Sequence, residues 1–187
     1  MKKKTLVFIV GETGSGKDTV ANKLPHPKVV SYTTRAMRDS DMDGKNHWFI
    51  SEAGMDKLEE RDDLIAYTKT GDVRYCAKAD QLNRGVNIYI INPDGVRWFR
   101  ENYKKDDLNV IIIGLYVPLG ERIKRCSTRS DFETSFAKRV TAEQNDFNRF
   151  RLDGEFDYLI KNNDSDKTAD IIFDIIQKDL LYSVFED

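Results

Sequence analysis

Gly11-Glu12-Thr13-Gly14-Ser15-Gly16-Lys17-Asp18-Thr19 is the stretch that decides the fold. Its spacing fits the phosphate-cradling loop G-x-x-x-x-G-K. The apolar run Thr5-Leu6-Val7-Phe8-Ile9-Val10 precedes it, and a short helix is expected after it. That strand–loop–helix setting separates the motif from an ordinary glycine-rich turn. Glycines let successive N–H groups turn inward onto phosphate oxygens, and the following helix N-terminus adds a partial positive charge. Lys17 is expected to reach the β- and γ-phosphates. The segment Gly11 to Thr19 therefore predicts contacts to ATP. Asp18 stands where the motif usually carries the Ser or Thr that faces Mg²⁺, with Thr19 beside it. These two are the expected metal-side residues, with Mg²⁺ arriving on the nucleotide.

The rest of the composition bounds what such a loop can serve. A chain of 187 residues, 40% hydrophobic, can bury the core of one compact domain with a small insertion. The net charge of −2 argues against nucleic-acid binding by bulk charge, so any basic site must be local. Cys76 and Cys126 lack metal-ligand spacing and read as free thiols in a reducing compartment. Lys2-Lys3-Lys4 is followed by only about six residues before Gly11, too few for a signal h-region or a membrane span. The expectation is a soluble, cytoplasmic protein with small-molecule partners and neither nucleic acid nor membrane. Oligomeric state is not readable.

Continuous apolar runs recur at Leu6–Val10, Val29–Tyr32, Ile88–Ile91, Val110–Tyr116 and Tyr158–Ile160. Such runs suit strands covered on both faces, as in a parallel sheet. Helices are expected from Pro93 to about Lys104, from Pro118 toward Arg125, from about Phe132 to Arg151, and over the Ala169–Ile176 segment. The fold class predicted is α/β, a parallel sheet of the phosphate-loop type flanked by helices. Residues from about 33 to 85 break the alternation. They hold short strands around Phe49-Ile50, Leu64–Thr68 and Val73–Tyr75, with Ser51 as the N-cap of a helix to about Glu60. This reads as a small inserted mixed α/β subdomain.

After the second strand comes Ser31-Tyr32-Thr33-Thr34-Arg35-Ala36-Met37-Arg38. Two arginines three apart beside hydroxyls make a compact anion site, because guanidinium forks match phosphate oxygens bidentately. Asp43-Gly44-Lys45-Asn46-His47-Trp48-Phe49 follows. Taken with Tyr75, Pro93-Asp94-Gly95-Val96, Lys138-Arg139 and Asp157–Asp164, these segments resemble guanylate kinases over nearly the whole chain. The resemblance implies a nucleoside monophosphate kinase with a core at about 1–32 and 86–187, an acceptor-binding part at about 33–85 and a lid at about 125–140. It implies that Ser31, Arg35, Arg38 and Tyr75 grip the acceptor phosphate and that Asn162 contacts the adenine of ATP. It places lid arginines over the phosphates, one at Arg139 and the other at Arg129, with Arg125 as the alternative. Lys17, Arg129 and Arg139 are then the expected catalytic residues.

The resemblance breaks where guanine is read. The family's glutamate, hydroxyl residue and aspartate positions are Ala66, Ala77 and Asn92 here. A site built to bond a base rejects analogues because buried unpaired groups are costly. Losing that set removes the basis for guanine selectivity unless Thr68, Lys69 or Asn92 substitutes. His47 replaces a phosphate-bonding tyrosine, and an imidazole can donate the same bond. A carboxylate at Asp18 can restore the charge lost at Asn92 on the metal side. The leading expectation is γ-phosphoryl transfer from ATP to GMP, dGMP or another nucleoside monophosphate. A second reading is a ribose 1,5-bisphosphate phosphokinase, since those enzymes share a Gly-Ser-Gly-Lys-Asp loop and an Asn-His pair like Asn46-His47. Arg38 favours the nucleotide. A third reading, of another class, is a catalytically inactive guanylate kinase-like binding module. The intact Lys17 and its glycines argue against it.

Overall fold

The computed structural model describes residues 4–38, 41–61, 63–128, 132 and 136–182. The chain runs β1 (Lys4–Gly11), α1 (Lys17–Ala21), β2 (Tyr32–Thr33), β3 (Trp48–Phe49), α2 (Glu52–Glu59), β4 (Leu64–Thr70) and β5 (Val73–Lys78). It continues through β6 (Val86–Ile91), α3 (Pro93–Asn102), β7 (Leu108–Tyr116), α4 (Leu119–Cys126), α5 (Ala137–Leu152), β8 (Tyr158–Lys161) and α6 (Ser165–Tyr182). One sheet, parallel, has the order β6-β1-β7-β8, and a second, mixed sheet has the order β3-β2-β5-β4. This is the α/β architecture that the alternating apolar runs predict. Leu6, Val7, Phe8, Ile9 and Val10 are fully buried, which is why β1 carries no polar alternation. Among the described residues no helix is long and apolar enough to cross a membrane.

The second predicted strand is the exception. Val29–Tyr32 does not add a full strand to the parallel sheet. Among the described residues its backbone pairs with that sheet at the isolated Lys28–Ile88 bridge, where Ile88 N donates to Pro27 O and Val29 N to Ile88 O. Pro25 and Pro27 lack the N–H groups a longer ladder would use. The chain then leaves to form β2 of the mixed sheet.

Two compact units divide the chain, Met1–Phe8 with His26–Ile111, and Ile9–Pro25 with Ile112–Asp187. In the first, Phe8 packs on Tyr89 and edge-on to Phe99 at 5.2 Å. The mixed sheet sets Thr33 opposite both Phe49 and Tyr75, and Thr68 opposite Tyr75. Its β4–β5 hairpin closes through Gly71-Asp72, with Gly71 at φ +60°, a left-handed conformation glycine adopts without cost. Met55, Leu64 and Cys76 form a small core with Tyr32, Ile50, Leu58, Tyr67 and Trp98 around it. Burial pushes the Cys76 thiol up to about 12, so it is an inert packing group. The predicted cap is present, with Ser51 accepting from Gly54 N, and Asn92 likewise caps α3 by accepting from Gly95 N.

In the second unit, Ile113, Ile172 and Ile176 are fully buried, with Phe147 and Phe150 nearly so. β8 pairs with β7 in the register Ile113–Tyr158 to Tyr116–Lys161. Asp157 sets that register, accepting from Ile112 N through Oδ2 and donating its own N–H to Ile112 O.

Arg74 fastens α2 to the mixed sheet. Its guanidinium meets Glu52 at 2.5 Å, Asp56 at 2.8 Å and Glu59 at 2.6 Å. The Arg74 hydrogen bond, then one from Thr34, holds the Glu52 carboxyl below its ordinary value of 4.5. A depressed carboxylate stabilises the fold above its unfolded value and loses that contribution as pH falls through the folded one. Replacing Arg74 by Met leaves three carboxylates on one helix face without their counter-charge. Arg74→Met should therefore melt at a lower temperature at neutral pH. Acidification below about pH 4.5 should erode wild-type stability but relieve the variant's repulsion. Thermal melts across that range check both.

Candidate active site

The loop after β1 is built by backbone constraints before any side chain acts. Gly14 and Gly16 both sit at φ +83°, where a β-carbon is strained. At Gly11 a β-carbon would lie 2.6 Å from Ser15 Oγ and 2.9 Å from Leu115 O. Lys17 opens the five-residue α1 and curls back, its Nζ donating to Gly11 O at 2.5 Å and Glu12 O at 3.2 Å. A polar cleft is lined by Thr13, Gly14, Gly16, Lys17, Asp18, Thr19 and Arg139. Its neighbour shares Gly14, Gly16 and Thr19 and adds Arg125, Asn162, Asn163 and Ser165. The two make a continuous groove along the loop, cationic at Lys17 and Arg139 and again at Arg125.

What holds this loop comes from far along the chain. Glu12 is buried, with its carboxylate 2.9 Å from both Arg122 and Arg151. Arg122 is buried as well and donates further to Thr13 O and Val117 O. Thr13 donates both its N–H and its hydroxyl to the Glu143 carboxylate of α5, at 2.8 and 2.6 Å. Asn162 is 1% exposed. Its amide donates to Ser15 O at 2.7 Å and accepts from the Thr168 hydroxyl, while its backbone O accepts from Arg125. Its side chain is thus taken up within the protein, bracing the loop. Arg125 stands at the rim of the second cleft. Arg129 lies outside the described residues.

The second constellation lies in the other unit. The Arg35 guanidinium lies 5.4 Å from the centre of the Phe49 ring and 2.8 Å from Asp41. His47 is edge-on to Phe49 at 5.9 Å and tilted against Tyr75 at 5.5 Å. Arg35, His47, Phe49 and Tyr75 therefore form one cluster on the mixed sheet, with Thr68 opposite Tyr75 in register. Asp41 also accepts from Arg38 N at 2.9 Å. Burial works to raise the Asp41 pKa, but the Arg38 N–H, then Arg35, outweigh it and leave the carboxyl below its usual value. An anion thus already sits on the fork of the first arginine, while the second keeps an exposed side chain. Ser31 is buried, its hydroxyl 2.9 Å from the Tyr89 hydroxyl. Asn92 caps α3.

Ala66 and Ala77 are paired across the hairpin and buried at 2% and 0% exposure. No carboxylate or hydroxyl stands at either position.

The guanylate kinase family model matches residues 2–179. The chain belongs to the guanylate kinase family. Its relatives include a guanylate kinase of Sus scrofa, 30% identical over 176 residues and covering 86% of both chains. A guanylate kinase of Onion yellows phytoplasma is 30% identical over 191 aligned positions, covering 94% of this chain and 86% of that one. Among solved structures, guanylate kinase from Anaplasma phagocytophilum superposes with a TM-score of 0.67 at 18% identity, over 96% of this chain and 87% of its own. Within this guanylate kinase family member, three features at the loop were invisible in the motif. These are the Glu12 pairing with Arg122 and Arg151, the Glu143 clamp on Thr13, and the inward turn of Asn162. Separations of well over 100 residues leave no local signal for them.

Removing one partner of a buried ion pair strands the other's charge. Arg122→Met should cost about 3 kcal/mol of stability or more, measured by urea unfolding. The double variant Glu12→Leu with Arg122→Leu should recover part of that loss, because no buried carboxylate is left behind.

Proposed function

We propose that this guanylate kinase family member transfers the γ-phosphoryl group of ATP to a nucleoside monophosphate, with GMP and dGMP among its acceptors. The observation that carries the reading is the intact loop. Lys17, two glycines at φ +83° and Arg139 line one polar cleft, the equipment for a triphosphate rather than for a protein ligand. The neighbouring cleft with Arg125, Asn162 and Asn163 supplies a place for the nucleoside of the donor.

An acceptor phosphate is already a nucleophile, so no general base is required and the work is alignment and charge stabilisation. Arg35, Arg38, His47 and Tyr75 are read as the acceptor-phosphate grip, with Ser31 positioned by Tyr89 behind them. An incoming phosphate displaces Asp41 from the Arg35 fork, exchanging one anion for another of higher charge. Lys17 and Arg139 follow the charge of the migrating group. Arg129 is read as the second lid arginine. Residues 33–85 are read as the acceptor-binding part and 125–140 as the lid. Closure excludes water and so suppresses ATP hydrolysis.

Asp18 and Thr19 are both exposed in the cleft beside Lys17. They offer one carboxylate and one hydroxyl, hard oxygen donors that suit Mg²⁺. Among the described residues no cluster of three His, Cys, Asp or Glu could hold a metal alone. Bound there, Mg²⁺ would neutralise charge on the β- and γ-oxygens.

Selectivity is where the chain departs from its family. With Ala66 and Ala77 buried and Asn92 committed to capping α3, none of the three positions is set to read guanine. Thr68, opposite Tyr75 in register, is a polar side chain beside the cluster. The same observation favours a second acceptor class, a phosphorylated sugar such as ribose 1,5-bisphosphate, which has no base to read.

Steady-state assays of MgATP with GMP, dGMP, AMP, CMP, UMP and ribose 1,5-bisphosphate test the proposal. The expected result is transfer to nucleoside monophosphates, with GMP preferred by less than about 100-fold rather than the 10⁴ or so of a fully bonded base site. Lys17→Met should abolish transfer to every acceptor. Turnover of the sugar alone would establish the second reading. ATP binding with no transfer to any acceptor would point to a binding module.

A further inference from the structure

Thr13 presents two donors to one side chain. Its backbone N–H lies 2.8 Å from Glu143 Oε2 and its hydroxyl 2.6 Å from Glu143 Oε1. Both carboxylate oxygens are used, so the contact fixes the orientation of the carboxylate as well as its distance. A hydrogen bond to an ionised acceptor is also stronger than a neutral one. Thr13 is itself part of the cleft lining. The carboxylate therefore anchors α5 directly to the rim of the triphosphate site.

Arg139 is four residues before Glu143 on the same helix. Side chains at that spacing lie on one face, about 6 Å apart along the axis. Arg139 lines the same cleft as Thr13. The anchor and the lid arginine are thus one helical turn apart, on a rigid element, over one site. A negative side chain beside a triphosphate site carries an electrostatic cost, which makes its placement there informative. The cost is offset where the carboxylate is consumed by protein donors and serves to hold a cation.

We propose that Glu143 is a positioning residue for phosphoryl transfer: it ties α5 to the phosphate loop through Thr13 and so sets Arg139 over the reacting phosphate. This rests on the kinase reading given above. The carboxylate touches neither nucleotide nor acceptor. Its effect passes through Arg139, whose misplacement by about 1 Å is enough to cost up to 100-fold in rate.

The test compares wild type, Glu143→Gln, Glu143→Ala, Arg139→Ala and the double variant Glu143→Ala/Arg139→Ala. Each is assayed with MgATP and the best acceptor of the wild type, with melting temperature measured in parallel. Glutamine keeps the length but offers one acceptor and turns an NH₂ toward the second donor. Both Glu143 variants should lose about tenfold or more in kcat, with KM for ATP within about twofold of wild type. In the Arg139→Ala background, Glu143→Ala should cost little more, since the residue it positions is gone. Thr13→Val, which keeps only the N–H, should lose more kcat than Thr13→Ser, which keeps both donors, and hydrogen exchange of the α5 peptide should quicken in the same order. These two variants carry the test if the Glu143 variants fold poorly.

Unchanged kcat in the Glu143 variants would overturn the proposal. So would tighter ATP binding with undiminished kcat, which would make the carboxylate a competitor of phosphate. Independent, multiplying losses from Glu143→Ala and Arg139→Ala would overturn it too. Hydrogen exchange of the α5 peptide is read in the same proteins without any acceptor. It should quicken by about tenfold in Glu143→Ala if the anchor is real. No change there would sink the anchor even if wild type transferred phosphate to none of the acceptors, a result that would by itself defeat only the kinase reading.

Discussion

The phosphate loop depends on one buried carboxylate. Glu12 is shut away from water between Arg122 of α4 and Arg151 of α5, at 2.9 Å from each. Burying a carboxylate without a counter-charge costs several kcal/mol of desolvation. With two guanidinium groups on it the charge is compensated and the side chain has one orientation. Arg122 then reaches on to Thr13 O, so one of the two arginines that neutralise Glu12 also fixes the backbone of the next residue. The loop's glycines give it freedom to curl, and the ion triad removes the surplus freedom. Asn162 closes the other end by donating to Ser15 O.

The cluster around Phe49 and Tyr75 works by a different logic. Its members are brought together by sheet register, not by buried charge. Thr33 faces Phe49 on one side and Tyr75 on the other. That pairing places Arg35, two residues past Thr33, and His47, two residues before Phe49, around the same pair of rings. The guanidinium gains from the Phe49 face, and His47 packs on both Phe49 and Tyr75. Arg74, which looks in sequence like one more cation beside Tyr75, points to the opposite side and is consumed by the three acids of α2. Alternation along β5 is the reason, since neighbours in a strand face opposite ways.

Much of the fold was legible because apolar runs report burial directly. β1, β6, β7 and β8 follow from Leu6–Val10, Ile88–Ile91, Val110–Tyr116 and Tyr158–Ile160, and α3 follows from Asn92-Pro93. Val29–Tyr32 misled for the same reason: its side chains suit a strand, but whether it pairs for one bridge or a full ladder depends on the prolines before it and on where β2 must go. The regular α5 runs Ala137–Leu152 within the helix expected from about Phe132 to Arg151. Its apolar spacing could not show that its polar face belongs to the loop, through Glu143 and Arg151.

The sequence alone showed two local constellations of phosphate-binding chemistry. Glycine spacing, Lys17, and the Arg35–Arg38 pair are local signals, because a phosphate-binding loop and a guanidinium fork are made by residues close together in the chain. It also determined what is missing, since Ala66 and Ala77 can offer no hydrogen bond wherever they lie. Only the tertiary structure decided which charges stabilise and which are presented to a ligand. Glu12, Arg122 and Arg151 are distant in sequence and become one buried unit. Asn162, which by family pattern faces a base, turns its amide into the loop. Glu143, an ordinary surface acid by composition, becomes the anchor of the arginine helix. Long-range pairing of polar groups follows from which donors are left unsatisfied once the backbone is in place, and a linear sequence carries no record of that.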